Sequence, residues 1–563
     1  MSQHSHPLVQ RGRQAYQARD YFAALSLCEM QLKTSPDDLD ALELKSSILQ
    51  ARGDARGAEG AMRQALQYDP ACEWALHELT ELLRRSGQTK AAETAARHAL
   101  LARPDAPQAH MQLADLLSEK GDLPAAEFHY RQALALAGPH PQILVSLASG
   151  LFEQNRLDEA EPMLVQATKL QPEGAAALLL LARLYEARRD MANAWLWLDR
   201  AEHAGRKAGE DFTPVRAQFM ANGDKFKDAL DLIDKMRTPL GAESQLQRAR
   251  LLDRLGRPDE AWNEFRAAKA RMAREGGRAY DAERVQVEFA ALKAFFEPDM
   301  LARLPQAPTR RDVAQPVFIL GFPRSGTGLI ECMLSNHDDV SAGGEMPYVD
   351  EWHGLLERLL PNVQPYPRRL AQMQMADLHH VTGALRDHYL GRAETSGVTR
   401  EHRPLFTDRS PRNAIDLPLI RFAFPQAAMI RMVRHPLDVA VSLLSSAAHD
   451  PYNCGYAIET IIEHLIARHE LDQAYDMTLE QPALVVRYED LVADPEGGVR
   501  RVLGYLGLDF EPHCVNFHDT RRDGRILKPL HDRSAGRWRA YARGLSPYFE
   551  RIASVVESLG YSL

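Results

Sequence analysis

The chain has 563 residues, more than one hydrophobic core serves, so two or more domains are expected. Its composition is that of an ordinary globular protein, 45% hydrophobic and 26% charged, and a net charge of −9 argues against nucleic acid as a partner. Residues 1–10 lack a secretory pattern and the longest apolar run, residues 175–182, is far short of the ~20 residues that cross a bilayer, so with five scattered cysteines we expect a cytoplasmic protein without a membrane span.

The first half repeats itself. Alanine recurs every 34 residues at Ala24, Ala58, Ala92, Ala126, Ala160 and Ala194, and a second alanine follows seven positions on at Ala65, Ala99, Ala133, Ala167 and Ala201. Gly53, Gly87 and Gly121 share another slot with Asn155, and Gly223 lies on the same comb. Pro36, Pro70, Pro104 and Pro172 close the units. Each slot has a physical reason. Gly or Asn takes the tight turn between two helices, where a positive φ costs little. Small alanines let the second helix approach its neighbours, and proline cannot continue a helix. The pattern resembles the tetratricopeptide repeat family over residues 5–297, with units degenerate after residue 205, and seven or eight helical hairpins are expected. The resemblance implies a superhelix that binds an acceptor peptide or protein, or else only buttresses its neighbour.

Residues 298–315 contain Pro298, Pro305 and Pro308 and read as a linker. Residues 316–563 differ in kind. Short apolar runs at 316–322, 427–433 and 483–487 read as buried strands, each followed by helix-like sequence. That alternation implies a parallel sheet covered on both faces.

The first strand leads into Gly321-Phe322-Pro323-Arg324-Ser325-Gly326-Thr327-Gly328, with a helix expected over 327–336. A loop between a strand and a helix N-terminus aims backbone N–H groups at one spot and forms an anion site. Gly321 and Gly326 have the spacing of a nucleotide P-loop, but Thr327-Gly328 stands where lysine and a hydroxyl would be. The usual β/γ-phosphate and Mg²⁺ contacts are therefore missing, which disfavours ATP or GTP hydrolysis. A second strand ends at Arg434, and Ser442 lies eight residues on in the following helix. Two anion sites at strand ends suit a nucleotide with phosphates on both its 5′ and 3′ sides.

These paired elements resemble the sulfotransferase family that uses 3′-phosphoadenosine 5′-phosphosulfate (PAPS), and most of all its tyrosylprotein branch. Supporting segments are Pro323-Arg324-Ser325-Gly326-Thr327, Gly344-Glu345, Thr407-Asp408-Arg409-Ser410-Pro411, Arg434-His435-Pro436-Leu437-Asp438, Arg487-Tyr488-Glu489-Asp490-Leu491 and Ser534-Ala535-Gly536-Arg537-Trp538-Arg539. The resemblance implies a two-part fold: an all-α tetratricopeptide-repeat superhelix, then an α/β, P-loop-like, parallel-sheet sulfotransferase domain.

It also implies roles. PAPS is the co-substrate, the 3′,5′-bisphosphate PAP is the product, and no metal takes part. Arg324 contacts the bridging and sulfonate oxygens, and the N–H groups of Ser325, Gly326, Thr327 and Gly328 hold the 5′-phosphate. Arg434 and Ser442 grip the 3′-phosphate. Tyr488 contacts the nucleotide, and Lys528 and Arg537 approach the 3′-phosphate from a basic stretch, residues 521–539, that reads as a lid. Glu345 is the general base, partly buried so that its pKa rises; His435 and His449 are the other candidates. Arg409 stands where the family has lysine, keeping the charge but not the ability to donate a proton. The acceptor is open among a peptide tyrosine, a sugar hydroxyl and a small phenol. Two other functions compete: a P-loop phosphotransferase, and a non-catalytic repeat adaptor with a nucleotide-binding domain.

Overall fold

A computed structural model describes residues 6–154, 156–236, 240–310, 312–360, 364–372, 375–400, 402–447, 452–479, 483–517 and 532–563. Two compact units divide the chain, one of residues 1–185 and 191–204, the other of residues 186–190 and 205–563.

The first unit is a run of helical hairpins, such as Leu39–Ala51 with Ala55–Tyr68 and Pro107–Glu119 with Leu123–Ala137. The periodic alanines explain the packing: Ala24, Ala58, Ala92, Ala126, Ala160 and Ala194 are all buried. Gly53, Gly87 and Gly121 adopt positive φ at the hairpin turns, and Arg19 and Arg189 take the same slot at the ends of the series. Gly223 departs from the comb, with φ −90°, and Asp224 beside it carries the left-handed conformation instead. Asn155 lies outside the described residues. Aspartates at a further 34-residue spacing start second helices: the side chains of Asp20, Asp54 and Asp122 accept from the N–H groups of Ala23, Gly57 and Ala125.

The second unit opens with two more hairpins, Thr213–Asn222 with Phe226–Asp234 and Ala242–Arg254 with Pro258–Glu275, making eight along the chain among the described residues. Sequence divides the repeats from the α/β domain at residues 297 and 316, whereas packing divides the chain near residue 205. The reason is a shared core. Leu246, Leu252, Trp262 and Phe265 of these helices bury against Leu437, Ile461, Trp538 and Leu545 of the α/β domain. A Cβ on Gly544 would lie 2.4 Å from the Trp262 ring, so only glycine admits that approach. The stretch read as a linker is also packed: Leu304 and Ala307 are buried, and the Ala307 N–H donates to the Phe422 carbonyl at 2.7 Å.

Among the described residues, five parallel strands follow: β1 (Gln315–Gly321), β2 (Val340–Ser341), β3 (Leu405–Asp408), β4 (Ala428–Val433) and β5 (Leu484–Arg487). Their order is β2-β3-β1-β4-β5. Alternation along β1 serves two cores, with Phe318 and Leu320 on one face of the sheet and Val317 and Ile319 on the other. The sheet is covered on both faces, and the ends of β1 and β4 are neighbours, Gly321 pairing with Met432.

Candidate active site

The loop after β1 opens the helix Thr327–Ser335, whose N-cap is Gly326 at φ 106°. A Cβ there would meet the Tyr488 ring at 2.7 Å, and one on Gly321 would meet Ser325 Oγ at 2.5 Å. Both glycines therefore make room within the loop. Arg324 is itself left-handed, φ 75°, an unfavourable backbone state for a bulky residue that here aims its side chain across the strand ends. The Ser325 N–H, expected to hold the 5′-phosphate, donates inside the loop to the Phe322 carbonyl at 3.0 Å. Gly326, Thr327 and Gly328 remain: among the described residues their N–H groups have no backbone acceptor outside the helix.

The two anion elements meet. Arg324 Nε donates to Ser442 Oγ at 3.0 Å, and Arg434 Nη1 donates to the Arg324 carbonyl at 2.9 Å. The Arg434 guanidinium lies over the Tyr488 ring, 4.6 Å from its centroid. Arg434 Nε and Ser325 Oγ are buried and have no hydrogen-bond partner among the described residues. Buried polar atoms of this kind are costly unless a ligand satisfies them, so the residues present fit an anionic nucleotide. Desolvation by the surrounding loops, and after it the charges of Arg434 and Arg537, lower the pKa of Arg324, although the residue keeps an exposed surface that a ligand can reach.

Glu345 follows the turn Gly343-Gly344, where a Cβ on Gly343 would lie 2.1 Å from the Thr407 carbonyl and Gly344 has φ 74°. Its side chain is 57% exposed and ion-paired with Arg409. The expectation of partial burial is therefore corrected: the tight glycine turn lifts the carboxylate clear of the sheet instead of sinking it. Arg409 also donates through Nε to Glu331 at 2.6 Å. Burial works against the charged form of Arg409, but Glu331 and Glu345 more than offset it and hold its pKa above the ordinary arginine value.

Glu331 was not legible as a site residue. It lies in an apolar helical stretch, 2% exposed, and accepts from the Gly344 N–H at 2.8 Å, from Thr407 Oγ1 at 2.8 Å and from Arg409. A carboxylate in an apolar run (Leu329-Ile330-Glu331-Cys332-Met333) is the one signal that points to it.

His435 caps the helix Pro436–Leu444 through Nδ1, which accepts from the Leu437 N–H, while Nε2 bonds the Ser562 carbonyl. Both ring nitrogens are engaged, which removes it as an alternative base. His449 and Lys528 lie outside the described residues, as does most of the stretch read as a lid. Its last part is docked: Asp438 accepts from the N–H groups of Gly536 and Trp538, and Arg434 Nη2 donates to the Ser534 carbonyl at 2.5 Å. Arg537 donates to Ser445 Oγ at 3.2 Å and to Asp253 at 2.8 Å.

A model of the sulfotransferase family matches residues 316–512. Residues 316–512 are a sulfotransferase-family domain. Tetratricopeptide repeat models match residues 49–116, 107–140 and 145–209. The chain is similar to an uncharacterized protein of Aquifex aeolicus, 27% identical over 45% of this chain and 34% of that one. It is similar to nodulation protein NoeE of Sinorhizobium fredii, 27% identical over 39% of this chain and 59% of that one. Protein-tyrosine sulfotransferase 1 of Danio rerio is 24% identical over 39% of this chain and 65% of its own length. The chain thus spans between 34% and 65% of the length of these relatives. The sulfotransferase-family domain contains all the site residues named above except Arg537 and Lys528, which follow its matched range. No helix among the described residues is long and apolar enough to cross a membrane.

Proposed function

We propose that this protein transfers the sulfonate group of PAPS to an acceptor hydroxyl. The observation that carries the reading is the joining of the two anion elements through Arg324, Ser442 and Arg434 at adjacent strand ends, with buried polar atoms left unsatisfied between them.

In this reading the N–H groups of Gly326, Thr327 and Gly328 hold the 5′-phosphate at the helix N-terminus. Arg434, Ser442 and the ring of Tyr488 hold the 3′ side. Arg324 moves from Ser442 to the sulfonate and bridging oxygens when the nucleotide enters. The acceptor oxygen attacks sulfur, the bond from sulfur to the bridging oxygen breaks, and PAP leaves. Glu345 takes the acceptor's proton, its exposed carboxylate being within reach of an incoming hydroxyl. Arg409 fixes that carboxylate and adds positive charge near the transferring group. Arg537 approaches the nucleotide from the C-terminal stretch.

The acceptor favoured is a tyrosine of a peptide or protein, on the strength of the protein-tyrosine sulfotransferase relatives and of a repeat array suited to binding extended partners. A cytoplasmic location goes with this reading, as does a reaction without metal. The test is transfer of labelled sulfonate from PAPS to tyrosine peptides, simple phenols and sugars without added metal. Label on the tyrosine peptide supports the full reading, label on another class corrects the acceptor, and transfer from ATP in its place would sink the reading.

A further inference from the structure

Four arginines gather around the helix Pro436–Leu444, and one comes from the repeat-like helices. Arg250, on Ala242–Arg254, donates through Nε to the carbonyl of Ser445, which caps that helix at its C-terminus, at 2.7 Å. Ser442, one turn earlier, holds Arg324, and Arg537 donates to the Ser445 hydroxyl. Arg434 reaches the Arg324 carbonyl. Among the described residues the two terminal nitrogens of Arg250 have no hydrogen-bond partner. Asp253, one turn further along the helix of Arg250, is taken by Arg537 and Tyr541. Desolvation, and after it the charges of Arg324 and Arg537, lower the pKa of Arg250, with Glu243 opposing. Like charges in a partly desolvated site repel one another, and an anion among them removes that cost.

We propose that Arg250 is a ligand of the nucleotide's 3′-phosphate, completing with Arg434, Ser442 and Arg537 an oxyanion site that the sulfotransferase-family domain does not supply alone. The proposal rests on the sulfotransferase reading of this site. Position decides between the two phosphates. Arg250 lies at the C-terminal end of the helix bearing Ser442, on the 3′ side, and the N–H groups of residues 326–328 serve the 5′ side at the start of another helix. The competing account is a structural clip: a cation on the last carbonyls of a helix is favourable without any ligand.

Titration of the full-length protein with PAP and with adenosine 5′-phosphate, which lacks the 3′-phosphate, separates these accounts. Arg250→Gln removes the charge, and Arg250→Met does so while keeping the packing of the stem, so that a folding failure in one leaves the other. PAP affinity is expected to fall roughly ten- to hundredfold, the effect of one charge-assisted hydrogen bond. Adenosine 5′-phosphate affinity should change less than about twofold on the same principle, and the rise in Tm that PAP produces should shrink. Unchanged PAP affinity in a folded variant, or equal weakening toward both nucleotides, would overturn the proposal. So would variants that bind PAP normally and raise only the KM of an anionic acceptor. Failure of the wild-type protein to bind PAP is a different result, and it overturns the sulfotransferase reading itself.

Discussion

Arg409 is ion-paired with Glu345, the carboxylate proposed to take the acceptor's proton. The pair gives a base without burial: the guanidinium fixes the carboxylate in direction while its surface stays open to an incoming hydroxyl. Glu345→Gln keeps the shape and the acceptor atom toward Arg409 but cannot take a proton. Steady-state kinetics should show kcat lower by roughly 10²–10⁴, the usual range for a positioned base, with PAP affinity unchanged. Full activity in this variant would remove Glu345 from the chemistry.

Glu331 is the buried anchor behind that pair. Glu331→Gln leaves Arg409 without its inner carboxylate and weakens the hold on the Gly344 N–H. Breaking a buried pair by removing one partner costs about 3–5 kcal/mol. Denaturant unfolding should register much of that loss, and kcat should fall with it because Arg409 no longer fixes Glu345.

The two arginines of the nucleotide site should separate kinetically. Arg324→Ala should lower kcat by roughly 10²–10³, as loss of one donor to a developing charge does. Arg434→Ala should mainly weaken PAP binding, read by calorimetry. The same change in Kd and kcat for both variants would contradict the division of roles.

Asp408, at the end of β3, carries a pH signature. It is fully buried, accepting from the Tyr389 hydroxyl at 2.7 Å and the Ser410 N–H at 2.9 Å, and burial pushes its pKa up to about 7 against these hydrogen bonds. A folded-state pKa raised above the unfolded value means that the stability it contributes is fully present below about pH 4 and is lost as pH rises toward 7. The stability difference between wild type and Asp408→Asn, from urea unfolding at several pH values, should therefore move against the wild type from about pH 4 to pH 7 and then level off. A flat difference across that window would contradict the assignment.

The repeat period, the loop after β1 and the strand ending at Arg434 were legible because each depends on near neighbours in sequence. β3 was not recognised as a strand, being four residues long with no alternation to mark it. Glu331, Arg250 and Asp253 were missed because their meaning lies in contacts with residues far along the chain, as the Arg250–Ser445 bond illustrates. The division at residue 205 was visible only as decay of the repeat. Its cause, a core shared by Trp262 and Trp538, is tertiary.

That shared core sets the limits of truncation. Removal of residues 1–204 should leave a folded protein with near-native PAP affinity. Removal of residues 1–297 exposes Leu437, Ile461 and Leu545 to water, and size-exclusion chromatography should show aggregation. A monomeric, PAP-binding product of the longer deletion would contradict the shared core.

Whether this site binds a nucleotide carrying a 3′-phosphate for sulfonate transfer is decided by calorimetric titration of the full-length protein with PAP, without Mg²⁺ and with ATP as the control. Micromolar or tighter PAP binding, strongly weakened by Arg434→Ala, is the expected result, with ATP far weaker. A well-folded sample that ignores PAP, or one that binds ATP in preference and only with Mg²⁺, would contradict it.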